Sequence, residues 1–261
     1  MVQRLLQPRL DQILAFCAEE PIERVFLEDV ARRGLGRFLA VERRGGTLQA
    51  LCHVGANVVP SGWGCGVFAE AARESRARMI IGEERAVGEL WQAAEPLLPQ
   101  PRADRPGQPV FVLDRPPEPG LTGVRPATTT DLDVLVPACA AAHREEIGID
   151  PLVRDPHGFR WRTQSQIAEG RSWVWLDGGT ILFKAEASAW TPAAVQLQQV
   201  WVDPTARNRG YGQRAMRDLC RLLLERARSV CLFVRRENEP ALHTYERVGM
   251  RREGALRSLI F

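Results

Sequence analysis

A short segment around residue 210 combines residue types that bind phosphate groups. An apolar run at residues 200–202 leads into a loop, and residues 212–227 continue with apolar side chains at helical spacing. The first backbone N–H groups of a helix lack intrahelical acceptors and carry the positive end of the helix dipole, so anions bind there. We therefore expect an anion site where the loop opens the helix.

The side chains of the loop support the same chemistry. Gly210 and Gly212 allow positive φ angles and a close approach of a ligand to the backbone, while two arginines would donate charge-assisted hydrogen bonds. Together they predict a pyrophosphate site. Its residues are Arg207, Asn208, Arg209, Gly210, Tyr211, Gly212 and Gln213.

The elements after the loop follow the order strand, turn, helix. Residues 230–234 form an apolar run of the length of a buried strand, and residues 235–240 are typical of a turn. Pro240 favours the first turn of a following helix, and Gly249 is a natural stop for that helix. The loop is thus predicted to lie between two strands, with a helix after each strand.

The loop and the elements after it resemble the GNAT superfamily of N-acetyltransferases. The loop is similar to the Gln/Arg-x-x-Gly-x-Gly/Ala sequence with which that family binds coenzyme A, and Asn238 follows the next strand as in the family. Residues 245–250 are similar to its aromatic-Glu-x-x-Gly-Phe sequence, with Met250 in place of Phe. The resemblance runs from about Leu121 to the C-terminus, where residues 251–261 would supply the closing strands.

The resemblance implies acetyl-coenzyme A (acetyl-CoA) as the cofactor. In the family, the strand before the loop carries a bulge and splays from its neighbour. The backbone of Val200, Trp201 and Val202 would then pair with the pantetheine arm, as an added strand would, and polarise the thioester carbonyl. Asn238 would orient the cofactor, although capping of the following helix is equally compatible with its position.

The resemblance also implies a proton donor, whereas the proton acceptor is less defined. Tyr245 matches the residue that protonates the coenzyme A thiolate, and the alternative is a core aromatic. Glutamines within residues 196–199 occupy the strand where many members carry a glutamate base. Glu186 on the neighbouring strand is the predicted base; a salt bridge with Lys184, and catalysis through ordered water, stay open as alternatives.

The expected reaction is acetyl transfer to a primary amine, on a small molecule or a protein, by direct attack on the thioester. An acyl-CoA-binding sensor or regulatory protein without turnover is the alternative, which the absent strand glutamate favours. Acidic residues within 143–162, among them Glu145 and Glu146, would attract a cationic amine or form a solvated loop. Four tryptophans would line an acceptor pocket or, as their alternation favours, pack in the core: Trp173, Trp175, Trp190 and Trp201.

The chain length favours two domains, since a domain averages about 150 residues. Dense prolines at residues 96–119 mark a boundary between a degenerate GNAT-like N-terminal domain at 1–118 and a GNAT N-acetyltransferase domain at 119–261. The fold class is α/β: a tandem GNAT-like fold with a mixed central sheet flanked by helices in each half, similar to a bacterial group of two-domain GNAT proteins.

The first half repeats the element order of the second. Its loop at residues 60–66 has glycines but no arginines, so no cofactor is expected there. A stabilising role and a substrate-binding role for this half stay open. The pattern predicts helices at 10–17, 66–75 and 84–97 and strands at 38–41, 48–54, 79–81 and 109–113.

The composition narrows the remaining partners. A net charge of +3 without a long basic tail gives no support for nucleic acid. No run of about 18 apolar residues predicts a membrane span, and residues 1–9 are too polar for a signal peptide, so a cytoplasmic location is expected. The six cysteines fit buried free thiols, and the four histidines lack metal-ligand spacing, so no metal is predicted. A monomer and a homodimer are both compatible with the sequence.

Overall fold

The computed structural model describes residues 5–43 and 45–261. The polar segment at residues 1–9, which argues against a signal peptide, therefore lies partly outside the described residues. The strands are β1 Arg37–Glu42, β2 Leu48–Val54, β3 Val58–Gly62, β4 Met79–Glu83, β5 Ala103–Leu113, β6 Arg125–Pro126, β7 Ser172–Asp177, β8 Thr180–Trp190, β9 Ala194–Val202, β10 Ser229–Phe233 and β11 Arg251–Ile260. The helices are α1 Leu10–Glu19, α2 Val25–Arg32, α3 Ala69–Ser75, α4 Glu84–Ala94, α5 Leu132–Ile147, α6 Pro151–Arg154, α7 Pro156–Ala168, α8 Tyr211–Leu224 and α9 Glu239–Val248.

Within the described residues, the strands form one mixed sheet in the order β1-β2-β3-β4-β11-β5-β10-β9-β8-β7-β6. This order is nearly symmetric about the central pair of β11 and β5. On each side lies a parallel pair, β3 with β4 and β9 with β10, followed by antiparallel strands. Each half therefore has the predicted mixed arrangement, but the halves share one sheet instead of having one each.

The two central strands are exchanged between the halves. β5, from the first half, pairs with β10 of the second half, and β11, at the C-terminus, pairs with β4 of the first half. β5 and β11 also pair with each other. The expectation that residues 251–261 supply closing strands is corrected to one strand, because residues 251–260 run without a turn that would fold them back. The first half supplies the other strand.

β5 begins at Ala103, six residues earlier than the predicted strand at 109–113. Its register against β11 shifts near Pro106 and Gly107. A bulged position tolerates proline because it does not need to donate to the ladder, and Gly107 adopts a φ of 64° without steric cost. The bulge lets one strand continue past prolines that would otherwise end it.

The sequence pattern predicts the other elements of the first half but misses α2 and β3. β3 occupies the start of the loop expected at 60–66, and α3 begins at Ala69 rather than Gly66. A proline inside a strand normally removes a ladder hydrogen bond. Because β3 pairs with β4 at one residue pair only, Pro60 costs little pairing here.

α8 packs on the sheet through a single apolar face, which agrees with its predicted amphipathic pattern. Its buried residues are Ala215, Met216, Leu219, Cys220 and Leu223. On the outer side, the carboxylate of Asp218 accepts hydrogen bonds from the N–H groups of Gly120 and Thr122, each at 2.7 Å. The irregular segment that contains the predicted domain boundary is therefore fastened to α8; the boundary itself stays a prediction.

Membrane and metal features were sought in the described part of the chain. None of its helices combines the length and the apolar character needed to cross a bilayer. No group of three or more histidine, cysteine, aspartate or glutamate residues there is arranged to hold a metal ion. The six cysteines are free and buried.

Because the halves exchange strands, we expect them to unfold together. Leu90→Ala removes a fully buried side chain of α4 in the first half, which costs about 2–5 kcal/mol. Calorimetry should show one transition that moves to lower temperature. Val153→Ala, at a side chain that is 84% exposed, is the control and should leave the transition in place. Two transitions, of which Leu90→Ala moves only one, would contradict the shared-sheet description.

Candidate active site

A cavity of about 780 Å³ lies where β9 ends and α8 begins. Its walls are the end of β9, the loop before α8, the first turn of α8 and one side of α9. The structure brings eleven predicted site residues together on it: Val200, Trp201, Val202, Arg207, Asn208, Gly210, Tyr211, Gly212, Gln213, Asn238 and Tyr245. Arg209 and Glu186 are not part of this lining.

Two neighbouring strands separate at this cavity. β9 pairs with β10 through residues 194–196, although β9 continues to Val202. Its register against β8 shifts after Gln198, and Gln199 has a φ of 51°. A bulge of this kind bends its strand. The backbone of residues 197–202 is therefore left without strand pairing on the β10 side, in the geometry that the resemblance implied.

The loop before α8 offers a row of backbone donors. Asn208 has a φ of 60°, and Gly210, the N-cap of α8, has a φ of 77°. Among the residues that the structure describes, none accepts a hydrogen bond from the N–H groups of residues 208–213. Gly212 lets the helix start lie against β9, because a Cβ there would be 3.1 Å from Cγ2 of Val202. Consecutive free donors at a helix start form an anion site.

Arg207 is held by a carboxylate from α5. Its Nη2 donates to both carboxylate oxygens of Glu145, at 2.7 and 2.9 Å, and its Nε donates to the carbonyl oxygen of Val202 at 3.1 Å. Nε1 of Trp201 also donates to Glu145, at 3.1 Å. Glu145, which the sequence suggested for the acceptor side, thus lies against the predicted phosphate loop and fixes its first arginine.

Arg209 lies outside the cavity lining and stacks on a neighbour in the loop. Its guanidinium carbon is 5.4 Å from the centre of the Tyr211 ring. The Tyr211 ring in turn lies 5.1 Å from the Trp175 ring. These contacts fasten the first residue of α8 to β7.

The tryptophans mostly pack in the core, as their alternation predicts. Trp173 and Trp190 lie against each other with ring centres 5.7 Å apart, and Trp173 is buried. Only Trp201 of the four considered lines the cavity. The described residues therefore do not gather the tryptophans into one acceptor pocket.

Asn238 and Tyr245 reach the cavity from α9 and its cap. Oδ1 of Asn238 accepts a hydrogen bond from the N–H of Ala241 at 3.3 Å, so this residue caps the helix while also lining the cavity. Tyr245 is buried and packs on Phe111 of β5 with ring centres 5.5 Å apart. Burial, together with the nearby charge of Glu146, raises the pKa of Tyr245. The phenol therefore keeps its proton at neutral pH.

Glu186 forms a buried ion pair, the alternative that the sequence left open. Its Oε1 accepts hydrogen bonds from Nζ of Lys184 at 2.9 Å and from Sγ of Cys139 at 3.1 Å. Burial lowers the pKa of Lys184, but Glu186 and Cys139 together outweigh burial and leave that pKa above its usual value. Burial raises the pKa of Cys139 to about 12, so the thiol remains a donor. The Glu186 carboxylate thus already accepts hydrogen bonds from two neighbouring side chains.

Glu146, the next residue after Glu145, meets the bulge of β9. Its Oε2 accepts a hydrogen bond from Nε2 of Gln199 at 2.6 Å, and its backbone carbonyl accepts one from Arg105 of β5 at 3.0 Å. Its charge acts on Tyr245. The sequence placed Glu146 only among residues that would attract an amine, because no linear pattern shows that residues 146 and 199 meet.

Comparison with known proteins agrees with this geometry. Residues 141–250 match the profile of the Acetyltransferase (GNAT) family, and residues 36–135 match a domain of unknown function, DUF4081. A search of curated proteins gave no match.

Solved structures with the same fold span nearly the whole chain. A GCN5-related N-acetyltransferase from Sphaerobacter thermophilus is 19% identical, with 98% of this chain and 95% of that chain covered and a TM-score of 0.59. A GNAT-family acetyltransferase from Colwellia psychrerythraea is 11% identical, with 99% of each chain covered and a TM-score of 0.59. A tandem GNAT protein from the clavulanic acid biosynthesis pathway is 12% identical, with 99% of this chain and 98% of that chain covered and a TM-score of 0.56.

The GNAT profile covers the splayed strands and the residues that line the cavity. Residues 141–250 therefore form a GNAT acetyltransferase domain, preceded by a DUF4081 domain at residues 36–135, and the chain has the fold of tandem GNAT proteins.

Proposed function

We propose that the protein transfers an acetyl group from acetyl-CoA to a primary amine by direct attack of the amine on the thioester. The observation that carries this proposal is the row of free N–H groups at residues 208–213 beside residues 197–202, whose backbone has no strand partner on the β10 side. Coenzyme A has two parts that require such features. Its pyrophosphate needs an anion site, and its extended pantetheine arm needs a strand-like partner.

The cavity suits a ligand of this kind. Its volume of about 780 Å³ falls in the range of about 300–1,000 Å³ that is usual for small-molecule sites. The absence of a Cβ at Gly212 lets the helix start lie against β9 at the cavity, and Arg207, paired with Glu145, lies on the cavity lining. Acetyl-CoA would supply the activated acetyl group, and the residues of the chain would bind and orient it.

Tyr245 is our candidate for the proton donor. It lines the same cavity as residues 200–202, and its raised pKa keeps the phenol protonated. A leaving thiolate needs such a donor close by. Packing on Phe111 holds the ring in one orientation, so its core contacts and its proposed role are compatible.

Glu146 is better suited than Glu186 to accept the proton of the amine. Neither carboxylate lines the cavity, but Glu186 is bound to Lys184, whereas Glu146 contacts the bulge of β9 through Gln199. The charge of Glu146 also contributes to the raised pKa of Tyr245, the candidate proton donor. We therefore assign proton acceptance to Glu146, directly or through a water molecule.

A sensor that binds acyl-CoA without turnover is the second candidate. The glutamines on β9 favour it, because an amide cannot accept a proton where many family members have a carboxylate. The two candidates make the same prediction for cofactor binding and opposite predictions for thiol release. Turnover therefore separates them.

Gly212→Asp should weaken acetyl-CoA binding at least tenfold, or about 1.4 kcal/mol, in a calorimetric titration. The substitution places a carboxylate among the free N–H groups of residues 208–213. Gly178→Asp is the matched control in the turn between β7 and β8, where a Cβ would meet nothing within 4 Å. It should bind like the wild type.

Each result of this titration has a defined meaning. Equal affinity in Gly212→Asp and the wild type would show that this loop does not bind the pyrophosphate. No binding by the wild type would show that acetyl-CoA is not the cofactor. Binding of acetyl-CoA without release of free thiol in the presence of any of a panel of primary amines would favour the sensor.

Tyr245→Phe should lower kcat by about 10²–10⁴-fold and leave the Kd for acetyl-CoA unchanged, because the variant loses only the proton donor. Glu146→Gln should also lower kcat, because the variant loses the proposed proton acceptor. Thiol release with the best amine of the panel measures both effects.

Glu186→Gln is the comparison for Glu146→Gln. It removes the negative partner of the buried Lys184 charge, so we expect lower thermal stability with kcat retained. A Glu146→Gln enzyme with wild-type kcat would show that Glu146 is not the proton acceptor.

A further inference from the structure

The first half contains a counterpart of the phosphate loop. β3 lies parallel to β4 as β9 lies parallel to β10, and each pair is followed by a helix, α4 or α9. Gly64, before the 3-10 turn that leads into α3, has a φ of 81°, close to the 77° of Gly210 before α8. The two loops thus enter their helices through a glycine in the same conformation.

The donors of the first-half loop are already occupied. The backbone N–H groups of Gly64 and Cys65 both donate to Oε2 of Glu89, at 2.7 and 2.9 Å. Glu89 is the sixth residue of α4, and the sixth residue of α9 is Thr244, which lines the cavity of the second half. Where the second half leaves its donors open to a cavity, the first half supplies a carboxylate.

Arg85 fixes this carboxylate from the other side. Its guanidinium donates to Oε1 of Glu89 at 3.1 Å and to the carbonyl oxygen of Gly62 at 2.7 Å, and it stacks 3.5 Å from the centre of the Trp63 ring. The same guanidinium also donates to Glu83 at 2.8 Å, so it is shared between two carboxylates, and Glu89 is held on both of its oxygens within the protein. An external phosphate would have to displace a carboxylate that is bound on both oxygens.

The turn that follows this loop is packed against α4. A Cβ on Gly66 would lie 3.3 Å from Cβ of Ala93 and 3.3 Å from the carbonyl oxygen of Glu89, so the turn packs directly on α4. The corresponding helix start of the second half faces the cavity instead.

We infer that Glu89 is an internal anion that closes the phosphate loop of the first half. Of these two loops, only the one at residues 208–213 keeps its N–H groups open, and Glu89 links α4 to the first-half loop through hydrogen bonds to Gly64 and Cys65. This inference concerns the first half alone and does not depend on the proposed acetyl transfer.

Chemical rescue tests the inference. Glu89→Ala should have a lower melting temperature than the wild type, and acetate, which restores a carboxylate, should raise it by about 2–4 °C more than chloride at equal ionic strength. The wild type should respond equally to both salts. Glu70→Ala, which removes an exposed carboxylate of α3 paired with Arg73, is the control and should behave like the wild type. The same response to acetate in all three proteins would overturn the inference.

A second measurement uses the wild type and so does not require that the variant folds. In cofactor-free protein, the amides of Gly64 and Cys65 should exchange hydrogen at least tenfold more slowly than those of Gly210 and Gly212, after correction for intrinsic rates. A factor of about ten or more corresponds to a hydrogen bond to a charged group. Equal exchange at both loops would show that Glu89 does not occupy the first loop.

Discussion

The separation of β9 from β10 is the constraint on which the candidate site depends. A backbone N–H or C=O group inside a sheet must find a partner, so a strand that stops pairing while it remains in the sheet keeps groups free for another molecule. Here β9 stops pairing with β10 after residue 196, and its register against β8 is irregular both there and at the bulge at Gln199. The Gln199 side chain contacts Glu146, and the strand then runs into the loop whose donors are free. The strand separation, the candidate phosphate loop and the candidate base thus lie together at the end of β9.

Because the halves exchange strands, a strand of the first half contacts residues of the candidate site. β5 fills the place beside β10, on the side opposite β9, and it carries two residues that reach the site. Phe111 packs on Tyr245, and Arg105 binds the backbone of Glu146. The first half thus contacts the second through these two residues, while Glu89 holds the donors of its own loop.

Local chemistry was readable from the sequence, whereas pairing between distant segments was not. The glycines and arginines of the loop and the stripe of α8 predicted an anion site at a helix start, because both depend on neighbours in the chain. The order of elements in each half followed from periodicity and from the resemblance. The exchange of β5 and β11 could not be predicted, since a strand pattern does not name its partner. For the same reason the sequence could not choose between a free Glu186 and one paired with Lys184, or show that Glu89 reaches Gly64.

A crystal structure of the chain with acetyl-CoA tests the central claim most directly. Our account predicts one cofactor per chain, with its pyrophosphate oxygens within hydrogen-bonding distance of the N–H groups of residues 208–213 and its pantetheine arm beside residues 200–202. Glu89 should remain bound to Gly64 and Cys65 in that complex. A cofactor bound elsewhere, or a phosphate in place of Glu89, would contradict the account.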